Sequence, residues 1–411
     1  MNAKDLVNAL VSLRRKAKWH LEKSRIVHLK PVQPSTGSVL LSYMIEPFLL
    51  RKGHQVRSHH TSYWECVRIA ETFLDMGYSV DVINSYNKTF WPRKRYDFFI
   101  EHRTVLERVA EVLNHDCIKI MHIDTAHALF NNAAEAQRLL ELQRRRNVTL
   151  CPRRFMMPNL AIEHADYATV LGNAFTMSTF TYAGKPLYRL PISATVLYEW
   201  PSDKDFVASR RHFIWLNSGG LVHKGLDLAL EAFAGMPDHR LTVCGPVEQE
   251  EDFVRVFRKE LYDTPNITTV GWVDVAGQKF SDLARAAVGL VSPSCSEGCS
   301  GSVVTGMHAG LVPIVSYESG VDVSEDRGIV LPNCSVAEIR RSVRSISDRP
   351  AGELQTLARR SWEYARATYT REKFAESYSA AIDAIVQRNR NDVRFSAASD
   401  PVRRAAHHPA D

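Results

Sequence analysis

Short apolar runs and amphipathic stretches alternate along most of this chain, in two series separated by a proline-marked interruption. Apolar runs at Ser38–Met44, Ser79–Ile83, Tyr96–Ile100, Ile118–Ile123, Val148–Cys151 and Tyr167–Leu171 predict strands. Between them, 61–76, 103–113 and 131–146 carry helical patterns; Ser62 and Glu65 have capping-box spacing and Gly77 stands at the stop. Residues 185–212 break the rhythm with Pro186, Pro191 and Pro201, as an interdomain connection would. A second series follows, with strands at Phe213–Asn217, Arg240–Cys244, Ile267–Val270, Val288–Ser292 and Val312–Ser316. Helices are expected at Lys224–Ala234, Ser302–Ala309, Ser335–Ser347, Gly352–Tyr369 and Glu372–Val386. Strand–helix alternation calls for a parallel, doubly wound sheet, because each parallel return needs a crossover. The expectation is therefore an α/β chain of two Rossmann-like domains facing a cleft, where ligands sit at the carboxyl ends of the strands.

The expected layout is a basic amphipathic helix over 1–31, an N-terminal domain over 32–200 and a C-terminal domain over 201–368. A helix at 369–386 would pack back on the first domain, and a disordered tail would occupy 387–411. The net charge of +6 bears on the first of these. Eight of the 52 Lys/Arg but only two of the 46 Asp/Glu fall in residues 1–30, leaving 44 of each elsewhere. A neutral body without a recognised binding motif argues against nucleic acid as partner. The terminal excess flanks a stripe of Leu6, Leu10, Leu13, Ala17 and Leu21, which suits an anionic membrane surface. The alternative is a helix docked on the protein body. No run of 18 apolar residues occurs, and the N-terminus lacks the order of a secretory signal, so a cytoplasmic protein, peripheral on the inner face of the cell membrane, is expected. The seven cysteines form no CxxC and suggest buried free thiols; no metal site is expected. Asp203-Lys204-Asp205 looks like the acidic pair of metal-dependent sugar transferases, but in a hinge it reads as solvated charge.

Two loops carry chemistry. Ser292-Pro-Ser-Cys-Ser-Glu-Gly-Cys-Ser-Gly-Ser302 joins a strand to a helix start, whose free N–H groups favour a phosphate. Gly298 and Gly301 would allow close backbone approach, with Ser300, Ser302 and Val303 beside them; Glu297 could bind sugar hydroxyls. Ser218-Gly-Gly-Leu-Val-His-Lys-Gly225 again leaves a strand and opens a helix. Gly219 and Gly220 suit a tight phosphate-facing turn, and Lys224 can offer charge to a leaving diphosphate. Neither GxxxxGK[ST] nor GxGxxG is present.

The segments HKGLDLALEAF, LTVCGP, NITTVGWV and LVSPSCSEG…GMHAGLVPIVS, in this order and spacing, resemble the C-terminal domain of retaining family 4 glycosyltransferases over 210–386. ADYATVLG at 165–172 resembles the last strand of that family's N-terminal domain more loosely. The resemblance implies a GT-B fold and transfer of a sugar from a nucleotide-diphosphate sugar, the donor substrate, to a glycan or lipid-linked acceptor. No tightly bound cofactor and no metal are implied. It places Lys224 at the donor diphosphate and Glu297 at the donor sugar, with the diphosphate near Gly220 and Ser302. Two positions depart from the family. The Arg that usually precedes the lysine is absent where Gly219 and Gly220 stand, and Thr305 replaces the second glutamate, which holds the ribose. A threonine cannot act as a charged acceptor for both hydroxyls. That leaves two alternatives, an inactive GT-B protein that binds a sugar nucleotide or a partner, and a sugar-nucleotide epimerase on the same fold. The family's N-domain histidine corresponds to His127, with His122 and Asp124 as further candidates; His308 is read as packing or capping. The Glu46–His60 loop, with Arg51, Lys52, Arg57, His59 and His60, would cover an acidic or phosphorylated acceptor.

Overall fold

The computed structural model describes residues 23–50 and 60–399, with side chains to Asn391. Two sheets account for the core. The first is ordered β1-β3-β2-β4-β5-β6-β7: β1 (Ile26–Leu29), β2 (Gly37–Tyr43), β3 (Tyr78–Asn84), β4 (Phe98–Glu101), β5 (Ile118–Ile123), β6 (Tyr167–Leu171) and β7 (Leu187–Leu190). All its pairs are parallel except β1 with β3. The second is wholly parallel and ordered β10-β9-β8-β11-β12-β13: β8 (His212–Leu216), β9 (Arg240–Cys244), β10 (Ile267–Gly271), β11 (Gly289–Ser292), β12 (Val312–Ser316) and β13 (Ile329–Leu331). Central strands are buried on both faces, which is why they read as continuous apolar runs rather than alternating ones.

Strand order reverses between β2 and β4 in the first sheet and between β8 and β11 in the second. At such a switch point the two following loops diverge to opposite faces and leave a crevice at the carboxyl ends of the strands. The loops after β8 and β11, the loops after β5 and β7, and the helix start that follows β2 build the site described below.

Several expectations change. Ile26–Leu29, assigned to the basic helix over 1–31, is the antiparallel edge strand β1; residues 1–22 lie outside the described residues, as do 51–59 of the Glu46–His60 loop. Val148–Cys151 forms no strand, because Val148 and Leu150 pack into the second domain's core instead of joining a sheet. β7, between Pro186 and Pro191, belongs to the first sheet rather than to a connection. The last helix runs over Arg371–Ser399, so 387–399 is helical and not disordered tail. Its Phe374, Tyr378, Ile382 and Ile385 join the core of the first sheet, whereas Ala365 and Tyr369 just before it pack in the second domain. The Thr61–Asp75 helix is capped by the His60 imidazole, which accepts from Ser62 N at 3.4 Å; Glu65 forms no capping box and turns elsewhere. In the hinge, Asp205 caps the Phe206–Ser209 helix and the buried Lys204 ammonium donates to the carbonyls of Ala284 and Gly310.

The domains meet along the Ala128–Arg146 helix. Arg145 pairs with Asp227 at 2.5 Å and Glu231 at 3.1 Å, and Arg146 with Glu231 at 2.9 Å and Glu260 at 2.7 Å. Arg138, buried, donates to Pro293 O, and Leu142 belongs to the second domain's core.

Candidate active site

A cleft of about 530 Å³ lies between the domains. Its C-terminal wall starts where β8 and β11 end. Leu216, Asn217 and Ser218 leave β8, and Glu297 to Thr305 follow β11. Lys224 and Glu297, brought by these two loops, form an ion pair whose side chains are 6% and 12% exposed. Burial alone would raise the Glu297 carboxyl, but the Lys224 ammonium beside it wins and holds it below its ordinary value. The Gly301–His308 helix begins next to this pair, and its N-cap Ser300 makes no side-chain capping bond. Ser300, Gly301 and Ser302 line the cleft, so the positive end of that helix faces the space beside Lys224. Thr305, one turn on, also lines it. Trp272, Val273, Val275 and Pro246, with Gln249, line it with more apolar side chains.

The glycine-rich loop departs from its expected use. The buried Glu250 carboxylate accepts from Gly220 N and from Leu221 N at 3.1 Å. These amides are already taken by an anion from within the chain, so Gly220 does not present its N–H to a phosphate. Gly219 lines the cleft; Gly220 does not. Gly298 is required for another reason than phosphate approach. A Cβ there would strike the carbonyl of Asp124 and lie 2.8 Å from Thr125 N, so it lets the two domains close on each other. The same contact is tied by Ala126 N donating to Glu297 O at 3.2 Å and by the Thr176 hydroxyl donating to Gly298 O at 2.8 Å. Val303 is wholly buried in the core under the cleft.

The N-terminal wall comes from the loops after β4 and β5 and the start of the Thr61–Asp75 helix. Asp124 follows β5 and is 19% exposed. His102 Nε2 lies 2.8 Å from its Oδ2, and Arg103 donates to the same oxygen at 3.1 Å. Burial opposes its ionisation, but Arg103 and His102 outweigh burial and hold it far below the usual carboxylate range. Glu65 accepts at Oε1 from Ser193 N and Oγ, at 2.9 and 2.8 Å, while Oε2 has no partner among the described residues. Burial pushes this carboxyl up to about 7. Glu101, beneath it at the end of β4, is pushed up to about 8 by the same cause.

His127 does not reach the cleft. Its Nδ1 caps the Ala128–Arg146 helix, accepting from Leu129 N at 3.3 Å, and its Nε2 lies 3.1 Å from the Tyr182 hydroxyl. A residue that follows the strand by four positions is consumed by starting the helix; Asp124, directly after β5, is the one that faces the cleft. His122 is core, paired with the Thr169 hydroxyl at 2.9 Å, and burial lowers it to about 3. His308 is also buried, its Nε2 2.8 Å from Tyr369 O. Sequence patterns missed Arg154, Glu250, Glu65 and Ser193. Each reaches the cleft or its loops from a distant segment, Glu250 from within the C-terminal domain and the other three from the N-terminal domain. All seven cysteines are unpaired, and only Cys151 is exposed. Among the described residues no group of three or more His, Cys, Asp or Glu is placed to hold a metal ion, and no helix is long and apolar enough to cross a membrane.

Two Rossmann-like domains facing a cleft constitute the GT-B fold. Residues 212–348, within the C-terminal domain, match the family model Glycosyl transferases group 1. No curated protein sequence matches the chain. Among solved structures, HepE of Anabaena, in complex with UDP and glucose, aligns with TM-score 0.54 at 12% identity, covering 85% of this chain and 99% of that one. Sucrose-phosphate synthase from Thermosynechococcus elongatus gives TM-score 0.57 at 15% identity, covering 88% and 99%. S. aureus TarM is much longer: 68% of this chain aligns with 54% of that one, at 11% identity and TM-score 0.49.

Proposed function

We propose that this protein moves a glycosyl group from a nucleoside-diphosphate sugar to a glycan or lipid-linked acceptor, with retention of configuration. The observation that carries the reading is the buried Lys224–Glu297 pair beside the uncapped start of the Gly301–His308 helix, at a strand-order switch point in an interdomain cleft. A diphosphate seated there meets a point charge and a helix N-terminus, both fixed before the reaction. Charge developing on the leaving phosphate is offset without reorganisation, where such stabilisation acts most strongly. Displacement of Glu297 from Lys224 by the diphosphate frees its carboxylate to accept from donor-sugar hydroxyls. Same-face attack, with the acceptor proton passing to the leaving phosphate, needs no protein nucleophile. The leaving-group charge is assigned to Lys224 and the helix, so turnover is expected to survive EDTA.

The test is turnover of UDP-, GDP- and ADP-sugars by the full chain, with glycan acceptors and with water. Lys224→Ala should lower kcat by about 10²–10³, the range seen on removing one electrostatic donor. Full activity in Lys224→Ala would refute the assignment. The part of the basic segment that precedes β1, residues 1–22, is assigned to an anionic membrane surface on the cytoplasmic side. The full chain should then sediment with phosphatidylserine vesicles at low salt, and a chain lacking 1–22, which keeps β1, should not.

A second reading, a GT-B protein that binds but does not transfer, is favoured by Thr305 and by Glu250 occupying the loop amides. It predicts no turnover by wild type and gain of donor hydrolysis in Thr305→Glu. Isomerised sugar nucleotide without acceptor would instead identify an epimerase.

A further inference from the structure

We infer that Arg154, a residue of the N-terminal domain, supplies the second cation for the donor's diphosphate, opposite Lys224. The inference rests on the nucleoside-diphosphate reading of the cleft and adds a residue that the C-terminal domain's own loops do not contain. Arg154 lines the cleft and is exposed. Its aliphatic stem crosses the C-terminal domain's loop at Gly220, where a Cβ would strike Arg154 Cγ and lie 2.8 Å from Cδ. Gly220 also has φ +86°, which any larger residue adopts only under strain. The glycine therefore serves the passage of this side chain rather than the approach of a phosphate.

Three features make Arg154 a placed charge rather than a solvated one. Its backbone is fixed by buried side chains of the Ala128–Arg146 helix. Glu135 accepts from Arg154 N at 2.9 and 3.1 Å, and Asn131 Nδ2 donates to Arg154 O at 2.8 Å. Among the described residues no carboxylate pairs with its guanidinium, in contrast to Arg145, Arg146 and Arg153 nearby. Its charge acts on Lys224, Glu297 and His223, so it belongs to the same electrostatic unit.

Charge balance gives the site a use for it. Gly220 N and Leu221 N are committed to Glu250, and Lys224 is paired with Glu297. A diphosphate arriving there meets the helix start and Lys224, but also two carboxylates. A guanidinium carries five donors in a planar fork that fits phosphate oxygens. Because it comes from the opposite domain, its contact with a donor held by the C-terminal domain depends on the cleft geometry that Gly298 and Gly220 permit.

The experiment is calorimetric titration of the full chain with UDP, GDP and ADP and with the three matching nucleosides. Wild type, Arg154→Gln and Arg154→Lys are compared at several salt concentrations. Arg154→Gln should weaken diphosphate binding by about tenfold or more, the scale of one charge-assisted hydrogen bond. It should leave nucleoside binding unchanged and make diphosphate affinity less salt-dependent, while Arg154→Lys recovers part of the loss. Equal diphosphate affinity in wild type and Arg154→Gln overturns the inference and leaves the donor reading standing. Parallel loss of nucleoside and diphosphate also overturns it, since that marks a structural role. A wild type that binds none of the six removes the donor reading, and the role of Arg154 with it.

Discussion

On the C-terminal wall of the cleft Lys224 and Glu297 meet as an ion pair, whereas on the N-terminal wall Glu65 keeps one carboxylate oxygen without a partner among the described residues. Both walls bury ionisable groups, and burial disfavours the charged form of each. The C-terminal wall answers with a counter-ion, which holds the Glu297 carboxyl below its ordinary value although burial still lowers the Lys224 ammonium. The N-terminal wall does so at Asp124, through Arg103 and His102; the cleft-lining Glu65 is instead pushed up to about 7. A fixed-charge wall suits a ligand of fixed charge such as a diphosphate. A wall with a carboxyl near half-protonation can donate to, or accept from, the hydroxyls of a sugar, which carry both functions.

The comparison is broken most directly at Asp124, the one place where the N-terminal wall behaves like its opposite. Asp124→Asn keeps the shape but leaves Arg103 half-buried without its counter-charge. Removing one partner of a buried pair costs about 3–5 kcal/mol, and the 19% and 29% exposure of these side chains argues for the lower end. Urea unfolding should therefore show a loss of about 3 kcal/mol. An unchanged midpoint would mean that Asp124 is held no more tightly than a surface ion pair.

Glu65 sharpens the same contrast through pH. Its carboxyl titrates near 4.5 when solvated and near 7 in the folded chain. The folded state then binds more protons than the unfolded state between these values, so this group's contribution to stability falls as pH rises from about 4.5 to 7. The loss is at most on the order of 3 kcal/mol, from about 1.4 kcal/mol per pH unit. Glu65→Gln keeps an oxygen for Ser193 and cannot ionise. Relative to wild type it should be near neutral in Tm at pH 5 and stabilising at pH 8. A wild-type–variant difference that does not change with pH would show that Glu65 stays ionised, and the two walls would no longer differ in kind.

The walls also differed in how much could be read beforehand. Lys224, Glu297, Ser300, Gly301, Ser302 and Thr305 lie within two loops, each running directly from strand to helix, so local spacing placed them correctly at the cleft. The N-terminal wall is assembled from His60 to Glu65, Asp124, Arg154 and Ser193, which share no local pattern. Strand–helix alternation located both sheets because parallel strands advertise themselves as apolar runs. It missed β1, β7 and β13, edge strands of four, four and three residues that are too short to stand out as runs. It also misjudged Gly220 and Gly298, since a glycine's motive lies in what approaches it. At both positions the approaching group is the other domain.

The smallest expected effect concerns His127, and it separates the two walls by location rather than charge. As the N-cap of the Ala128–Arg146 helix, its imidazole satisfies one amide that would otherwise lack a partner. Replacing such a cap by alanine costs about 1 kcal/mol. The helix is also pinned along its length by Arg145 and Arg146 to the C-terminal domain, so fraying at the first turn need not spread to the interface. His127→Ala should therefore lower Tm slightly and leave nucleotide affinity and kcat unaltered. The imidazole does line the smaller cavity that Asp124 also borders, together with His102 and Arg103. A tenfold loss of kcat with unchanged stability would mean that His127 acts through Asp124, and the N-terminal wall would then extend one residue deeper than the cleft itself.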